Sequence, residues 1–91
     1  MSDSFEWNPA KALANEAKHG ISFEEAMTVF ADSLATWDPD VGSYSGEERF
    51  IAVGRSYRQR LVLVVFTLRD GRIRIISARR PTPREARAYE S

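Results

Sequence analysis

Cysteine is absent from this 91-residue chain, histidine occurs once, at His19, and lysine only twice, at Lys11 and Lys18. Without cysteine there is no disulfide framework and no thiolate-ligated metal, and a reducing compartment is compatible. No residues are spaced as a metal-ligand cluster, so a metal-independent protein without cofactor is expected. Long apolar runs are missing too: the longest, Leu61 to Phe66, is far too short to span a bilayer. The opening MSDSFEWNPA has neither a basic n-region nor an apolar h-region, so no signal peptide is expected. These absences point to a soluble, cytoplasmic protein with no membrane partner. The length suits one small domain, residues 1–91, with one modest core.

Positive charge is scarce in the first half. From Met1 to Glu48 ten carboxylates face only Lys11 and Lys18, a balance of −8. From Arg49 onward eleven arginines face only Asp70, Glu85 and Glu90, a balance of +8. The net charge of zero therefore hides a divided chain. Such asymmetry suggests a polyanionic partner for the basic half, and arginine suits bidentate phosphate or carboxylate recognition better than lysine does. The other reading is that the halves neutralise each other across the fold.

The chain is organised around Leu61 to Arg80, LVLVVFTLRDGRIRIISARR. Two runs of strand-formers flank Asp70-Gly71, a strong signal for a tight primed hairpin turn. A two-residue loop sets Arg69 opposite Arg72, Thr67 opposite Arg74, Phe66 opposite Ile75 and Val64 opposite Ser77. Alternation then predicts one apolar, covered face with Val62, Val64, Phe66, Leu68, Ile73 and Ile75. The other face carries Thr67, Arg69, Arg72, Arg74 and Arg80, with Val65 and Ile76 between them. Arg79 falls on the nominally covered face, at the strand's end. The arginine row reads either as a phosphate-binding surface or as solvated charge.

Elsewhere Phe5-Glu6-Trp7 reads as a brief edge strand. Asn8-Pro9 starts a helix that buries Ala10, Leu13, Ala14 and Ala17 and stops at Gly20. Lys18 and His19 suit the negative end of its dipole, which competes with any catalytic reading of His19. Ser22-Phe23-Glu24-Glu25 has the form of a capping box, opening a helix with a core stripe of Phe23, Ala26, Met27 and Phe30 that ends at Asp32-Ser33. Leu34 to Trp37 and Arg49 to Arg55 read as strands, Asp38 to Glu47 as a mobile loop, and Ser56 to Arg60 as a turn. Thr82-Pro83-Arg84-Glu85 is a second capping box opening a short terminal helix. The fold class is α+β, with two helices packed on an antiparallel sheet of about four strands.

Four stretches together resemble a known family: FEWNPAKALANEAKHGISFEEAMTVFAD, GEERFIAVGRS, VVFTLRDGRIRIISARR and PREARAYE. The chain looks like a BrnT-family toxin of a bacterial type II toxin–antitoxin system. The resemblance implies a RelE-like fold and RNA cleavage that inhibits translation. It also implies neutralisation in a hetero-oligomer with a BrnA-like antitoxin, through which alone DNA would be contacted. The substrate implied is RNA, ribosome-bound mRNA included.

Cleavage by internal attack needs a base for the 2′-OH, cations for the phosphate charge and an acid for the 5′ oxygen. Arg69, Arg74, Arg79 and Arg80 are the candidate cations. Glu47, Glu48 and Glu85 are candidate bases, and Tyr89, Lys18 and His19 candidate acids. Arg55, Arg72, Lys18 and His19 are candidate RNA contacts. Trp7, Trp37 and Tyr57 suit base stacking, though packing is the commoner use of a tryptophan. The alternative function is a non-catalytic RNA- or partner-binding module that uses the same arginine face.

Overall fold

The computed structural model describes residues 4–40 and 47–90; most of the loop expected over Asp38 to Glu47 lies outside them. Strand β1 (Phe5–Glu6) leads into helix α1 (Pro9–His19), then α2 (Phe23–Thr28) with a 3-10 turn over Val29–Ala31. Strands β2 (Thr36–Pro39), β3 (Phe50–Arg55), β4 (Leu61–Arg69) and β5 (Arg72–Arg79) follow, and helix α3 (Pro83–Glu90) closes the chain. The sheet has five strands in the order β1-β5-β4-β3-β2. It is mixed rather than purely antiparallel, because β1 pairs β5 in parallel. A strand as short as β1 adds to an edge in either direction, so its sense is not written in its residues.

Asp70 and Gly71 take positive φ of 53° and 78°, the geometry of a two-residue primed turn. Arg69 pairs with Arg72, Thr67 with Arg74 and Phe66 with Ile75 as expected. The register then slips: Val65 pairs with Ser77 and Val64 with Ala78, leaving Ile76 as an extra residue in β5. A bulge of this kind moves every later side chain to the opposite face. Ala78 therefore joins the covered face, and Arg79 moves to the other one, opposite Leu63.

The covered face builds the core. Phe66 and Val64 are fully buried and Ile75 nearly so, packed with Phe23, Ala26 and Val29. Phe66 lies at the centre of a ring cluster, 5.0 Å from Phe30, 4.8 Å from Trp37 and 5.6 Å from Phe50 between centroids. Leu68, expected under cover, is half exposed because the helical layer stops short of the hairpin tip. Gly54 belongs to this face by closeness of approach: a Cβ there would lie 2.9 Å from Ala35 Cβ and 3.0 Å from Val29 Cγ1.

Helix α1 has the expected ends. Asn8 Oδ1 accepts from the Ala10 and Lys11 amides, and Gly20 closes the helix in left-handed geometry. Its buried side is not the expected one. Ala10, Leu13, Ala14 and Ala17 are exposed, while Asn15 is buried. The Asn15 amide donates to the carbonyls of Ala78 (2.8 Å) and Ile21 (3.0 Å) and accepts from the Ala78 N–H (3.1 Å). It completes the edge of β5 beyond the reach of β1, a backbone need that outranks burial of a leucine. Ser22 caps α2 as expected, but Glu25 does not close the box; it turns instead to Arg60.

The second face is not open throughout. Val53, Leu63 and Thr67 are buried on it, and α3 packs across β3. Thr82 and Glu85 form the expected reciprocal box: the Glu85 N–H donates to Thr82 Oγ1 (3.2 Å) and the Thr82 N–H to Glu85 Oε1 (2.8 Å).

Candidate functional site

The arginines along β5 and just beyond it divide into two groups at its opposite ends. Arg72 and Arg74 flank the hairpin turn, and Arg79 and Arg80 stand at the far end. Four residues lie between Arg74 and Arg79, which sets them about 16 Å apart along extended chain.

At the hairpin end the arginines already have carboxylate partners. Arg69 meets Glu47 at 2.9 Å, Arg74 meets Glu6 at 2.8 Å, and Arg72 reaches the same Glu6 at 3.9 Å. Glu48 is exposed there, and its backbone carbonyl accepts the buried Thr67 hydroxyl at 2.6 Å. The neighbouring cleft is lined by Glu47, Glu48, Phe50, Thr67 and Leu68. Glu47 there is already matched to Arg69, and Glu48, with no ion pair among the described residues, repels a phosphate.

The far end gathers side chains from four segments. Arg79, on β5, grips Glu85 of α3 through two hydrogen bonds of 2.9 and 3.0 Å, and also donates to the Arg80 carbonyl at 3.1 Å. The Arg79 guanidinium holds the Glu85 carboxyl down at about 2. Tyr89, a turn further along α3, donates its hydroxyl proton to Asp32 Oδ2 at 2.7 Å. That same oxygen accepts the Arg55 N–H at 2.8 Å, and Oδ1 accepts the Leu34 N–H at 2.9 Å. The Arg55 N–H, then the Tyr89 hydroxyl, hold the Asp32 carboxyl below its ordinary value. Asp32 in return pushes the Tyr89 phenol above its ordinary value, so it stays protonated at neutral pH.

Free positive charge collects around this latch. The segments that meet here, residues 55–60 and 79–90, carry seven arginines (Arg55, Arg58, Arg60, Arg79, Arg80, Arg84 and Arg87) and two carboxylates, Glu85 and Glu90, with Glu25 and Asp32 reaching in from the first half. The Arg58 and Arg80 side chains make no hydrogen bond or ion pair among the described residues, and both residues are exposed. A cleft of about 350 Å³ opens between Arg55, Arg60, Leu61, Arg80, Ala86 and Glu90. A second, of about 300 Å³, shares Arg55 and Gln59 with it and runs past Asp32 to Tyr57. Both are at the small end of the range for ligand pockets.

Lys18 and His19 line neither of these two clefts, although the Gly20 carbonyl that follows His19 accepts from Arg60 at 3.1 Å. With Lys11 they line a separate cleft between α1 and Ile76-Ser77 of β5, which shares no residue with the other two. Among the described residues no three carboxylate or imidazole groups converge as a metal-ligand set. No helix among them is long and apolar enough to cross a membrane.

Two contributors escape a reading of the sequence. Glu25, 2% exposed, takes hydrogen bonds of 2.7 Å on each oxygen from Arg60 and one of 2.7 Å from the Ser56 hydroxyl. The Arg60 contact holds its carboxyl below the usual range. Asp32 reads as a helix stop and proves to be the hub joining β3, α3 and the 3-10 turn. Nothing in local spacing announces either residue, because Arg60 and Tyr89 lie far along the chain. The excess of acid in the first half is the one clue that its carboxylates are spoken for by arginines of the second.

Comparison with known proteins follows the same lines. The model of the family described as the ribonuclease toxin BrnT of type II toxin–antitoxin systems matches residues 7–85. The crystal structure of the Brucella abortus ribonuclease toxin BrnT, solved at 1.1 Å, superposes with a TM-score of 0.60 at 21% identity. That match covers 86% of this chain and 95% of the other, and at such identity it establishes the fold. No curated protein matches the sequence.

Proposed function

The chain belongs to the BrnT family of ribonuclease toxins of type II toxin–antitoxin systems, and on that premise we propose that it cleaves RNA at the end of the sheet where Arg55, Arg79 and Arg80 meet α3. The observation that carries this placement is the contrast between the two ends. Arginines at the hairpin are matched by Glu6 and Glu47, whereas Arg80 has no carboxylate partner among the described residues.

The reaction is internal attack: the 2′-oxygen bonds to phosphorus, the bond to the 5′ oxygen breaks, and a cyclic phosphate and a 5′-hydroxyl result. Arg80 and Arg55 take up the charge that builds on the phosphate oxygens, while Arg79, fixed by Glu85, sets the geometry. Tyr89 supplies the proton for the leaving oxygen when a substrate oxygen takes the place of Asp32 as its acceptor. Glu85 is the carboxylate beside Arg79 and receives the 2′-OH proton. A carboxyl held at about 2 is a weak base, so the acceleration comes mainly from charge stabilisation. No metal enters this scheme.

RNA cleavage of this kind stops translation in the cytoplasm, and a BrnA-like antitoxin, bound as a hetero-oligomer, restrains it. DNA is then contacted only through that antitoxin. The RelE-like character of the fold belongs to the same reading. Induction of the chain alone in bacteria tests it: growth arrest relieved by the antitoxin, and RNA cut by the purified chain with or without ribosomes, are expected. Normal growth at confirmed soluble expression, with intact RNA, would favour the non-catalytic alternative.

A further inference from the structure

The turn from Ser56 to Arg60 is held more firmly than a surface connection between two strands requires. Ser56 is buried, and its hydroxyl donates to Glu25 and accepts the Arg58 N–H at 3.2 Å. The Tyr57 N–H donates to Thr28 Oγ1 at 2.9 Å, and that hydroxyl donates to the Glu25 carbonyl at 2.6 Å. Within the turn the Ser56 N–H reaches the Arg60 carbonyl and the Gln59 N–H the Ser56 carbonyl, both at 2.9 Å. Gln59 accepts a positive φ of 64° to close it. What this scaffold presents to solvent is an aromatic ring: Tyr57 is 67% exposed.

Beside the ring is the 300 Å³ cleft that Ala31, Asp32, Arg55 and Gln59 also line. Its parts suit one ligand chemistry. A tyrosine ring stacks on any base, and single-stranded RNA offers unstacked bases. Arg55 supplies a cation for the adjoining phosphate. Asp32 is ionised, and its Oδ1 accepts only one hydrogen bond among those seen, so it retains capacity for an N–H from a base edge. A rigid turn matters because stacking gains most when the ring is already in place.

We propose that this cleft is a nucleobase subsite, in which Tyr57 stacks on one unpaired base of a single-stranded RNA whose flanking phosphate lies on Arg55. The inference rests on the ribonuclease reading and names a subsite for its substrate.

Binding separates it from cleavage. The probe is a short single-stranded 2′-O-methyl oligoribonucleotide, which lacks the attacking hydroxyl, titrated against wild type, Tyr57→Ala, Tyr57→Phe and Tyr57→Trp. Tyr57 is 67% exposed and its hydroxyl makes no hydrogen bond among the described residues, so all four are expected to melt together. Tyr57→Ala should weaken binding roughly five- to hundredfold. Tyr57→Phe should bind like wild type, and Tyr57→Trp at least as well, with its added fluorescence quenched by the probe. Wild type that binds the probe through Tyr57 but leaves unmodified RNA uncut would remove the ribonuclease reading and keep the subsite. Wild type that does not bind, Tyr57→Ala that binds undiminished, or Tyr57→Phe that loses as much as Tyr57→Ala would overturn the subsite. Undiminished RNA binding by Tyr57→Ala with lost neutralisation by the antitoxin would assign the ring to the protein partner and overturn it equally.

Discussion

Arg79 and Glu85 are joined by two nearly parallel hydrogen bonds, and the same carboxylate caps the first turn of α3 by accepting the Thr82 N–H. A single contact thus ties the end of β5 to the start of the last helix. Arg79→Ala leaves Glu85 with its cap alone. The pair is about one-third exposed on both sides, so solvent screening holds its worth to about 1 kcal/mol or less. Thermal melting should fall by up to about 4–8 °C. An exposed arginine without a partner would leave it unmoved.

The same pair sets an acid limit. Glu85 is held at about 2 in the folded chain, against roughly 4.3 when unfolded. Because the folded value is the lower one, the stabilisation is complete above about pH 4.3 and is lost as pH falls towards 2. Glu85→Gln removes that pH-dependent component. Denaturation curves at stepped pH should show wild type and variant converging in acid; a constant gap between them would contradict the assignment.

Glu25 and Arg60 are the more consequential pair for folding. Glu25 is buried, and removing Arg60 strands its charge; breaking a buried pair from one side typically costs about 3–5 kcal/mol. Arg60 keeps 26% of its side chain exposed, so Arg60→Ala is expected near the lower end. Glu25→Ala should also loosen the turn that carries Tyr57. Urea unfolding of both variants and of the double variant measures the coupling, and additive losses would show that the pair is not one unit.

Two core positions test the packing. Phe66→Ala should cost about 3–5 kcal/mol, since it removes the ring at the centre of the aromatic cluster. Gly54→Ala should cost about 1–3 kcal/mol, because the new methyl meets Ala35 and Val29 inside contact distance. Melting temperatures equal to wild type would contradict the register of β4 in the first case and of β3 in the second.

Much of this was legible in advance, for identifiable reasons. Asp70-Gly71 announces its own turn, and Ser22 and Thr82 announce the first turns of α2 and α3, although only Glu85 closes its box. The bulge was not legible: Ile75-Ile76 is apolar on both sides of a register slip, so alternation continues to look satisfied while Arg79 changes face. Helix α1 misled in the same way, because the packing partner of Asn15 is the backbone of Ala78, which has no sequence signature. The candidate site suffered most. Arg69, Arg72 and Arg74 look like Arg79 and Arg80 in the sequence, and only the fold shows that Glu6 and Glu47 neutralise the first group. Lys18 and His19 are candidates by residue type, and the fold places them in a cleft that shares no lining residue with those beside Arg55 and Arg80.

The most direct test of the site is single-turnover cleavage of a defined oligoribonucleotide by Arg80→Ala and Arg72→Ala. Both residues are exposed arginines near the ends of one strand, and neither change is expected to alter folding. With the site beside α3, Arg80→Ala loses on the order of a hundredfold in rate and Arg72→Ala stays close to wild type. The reverse, a crippled Arg72→Ala and an unimpaired Arg80→Ala, would move the chemistry to the hairpin end and contradict the account.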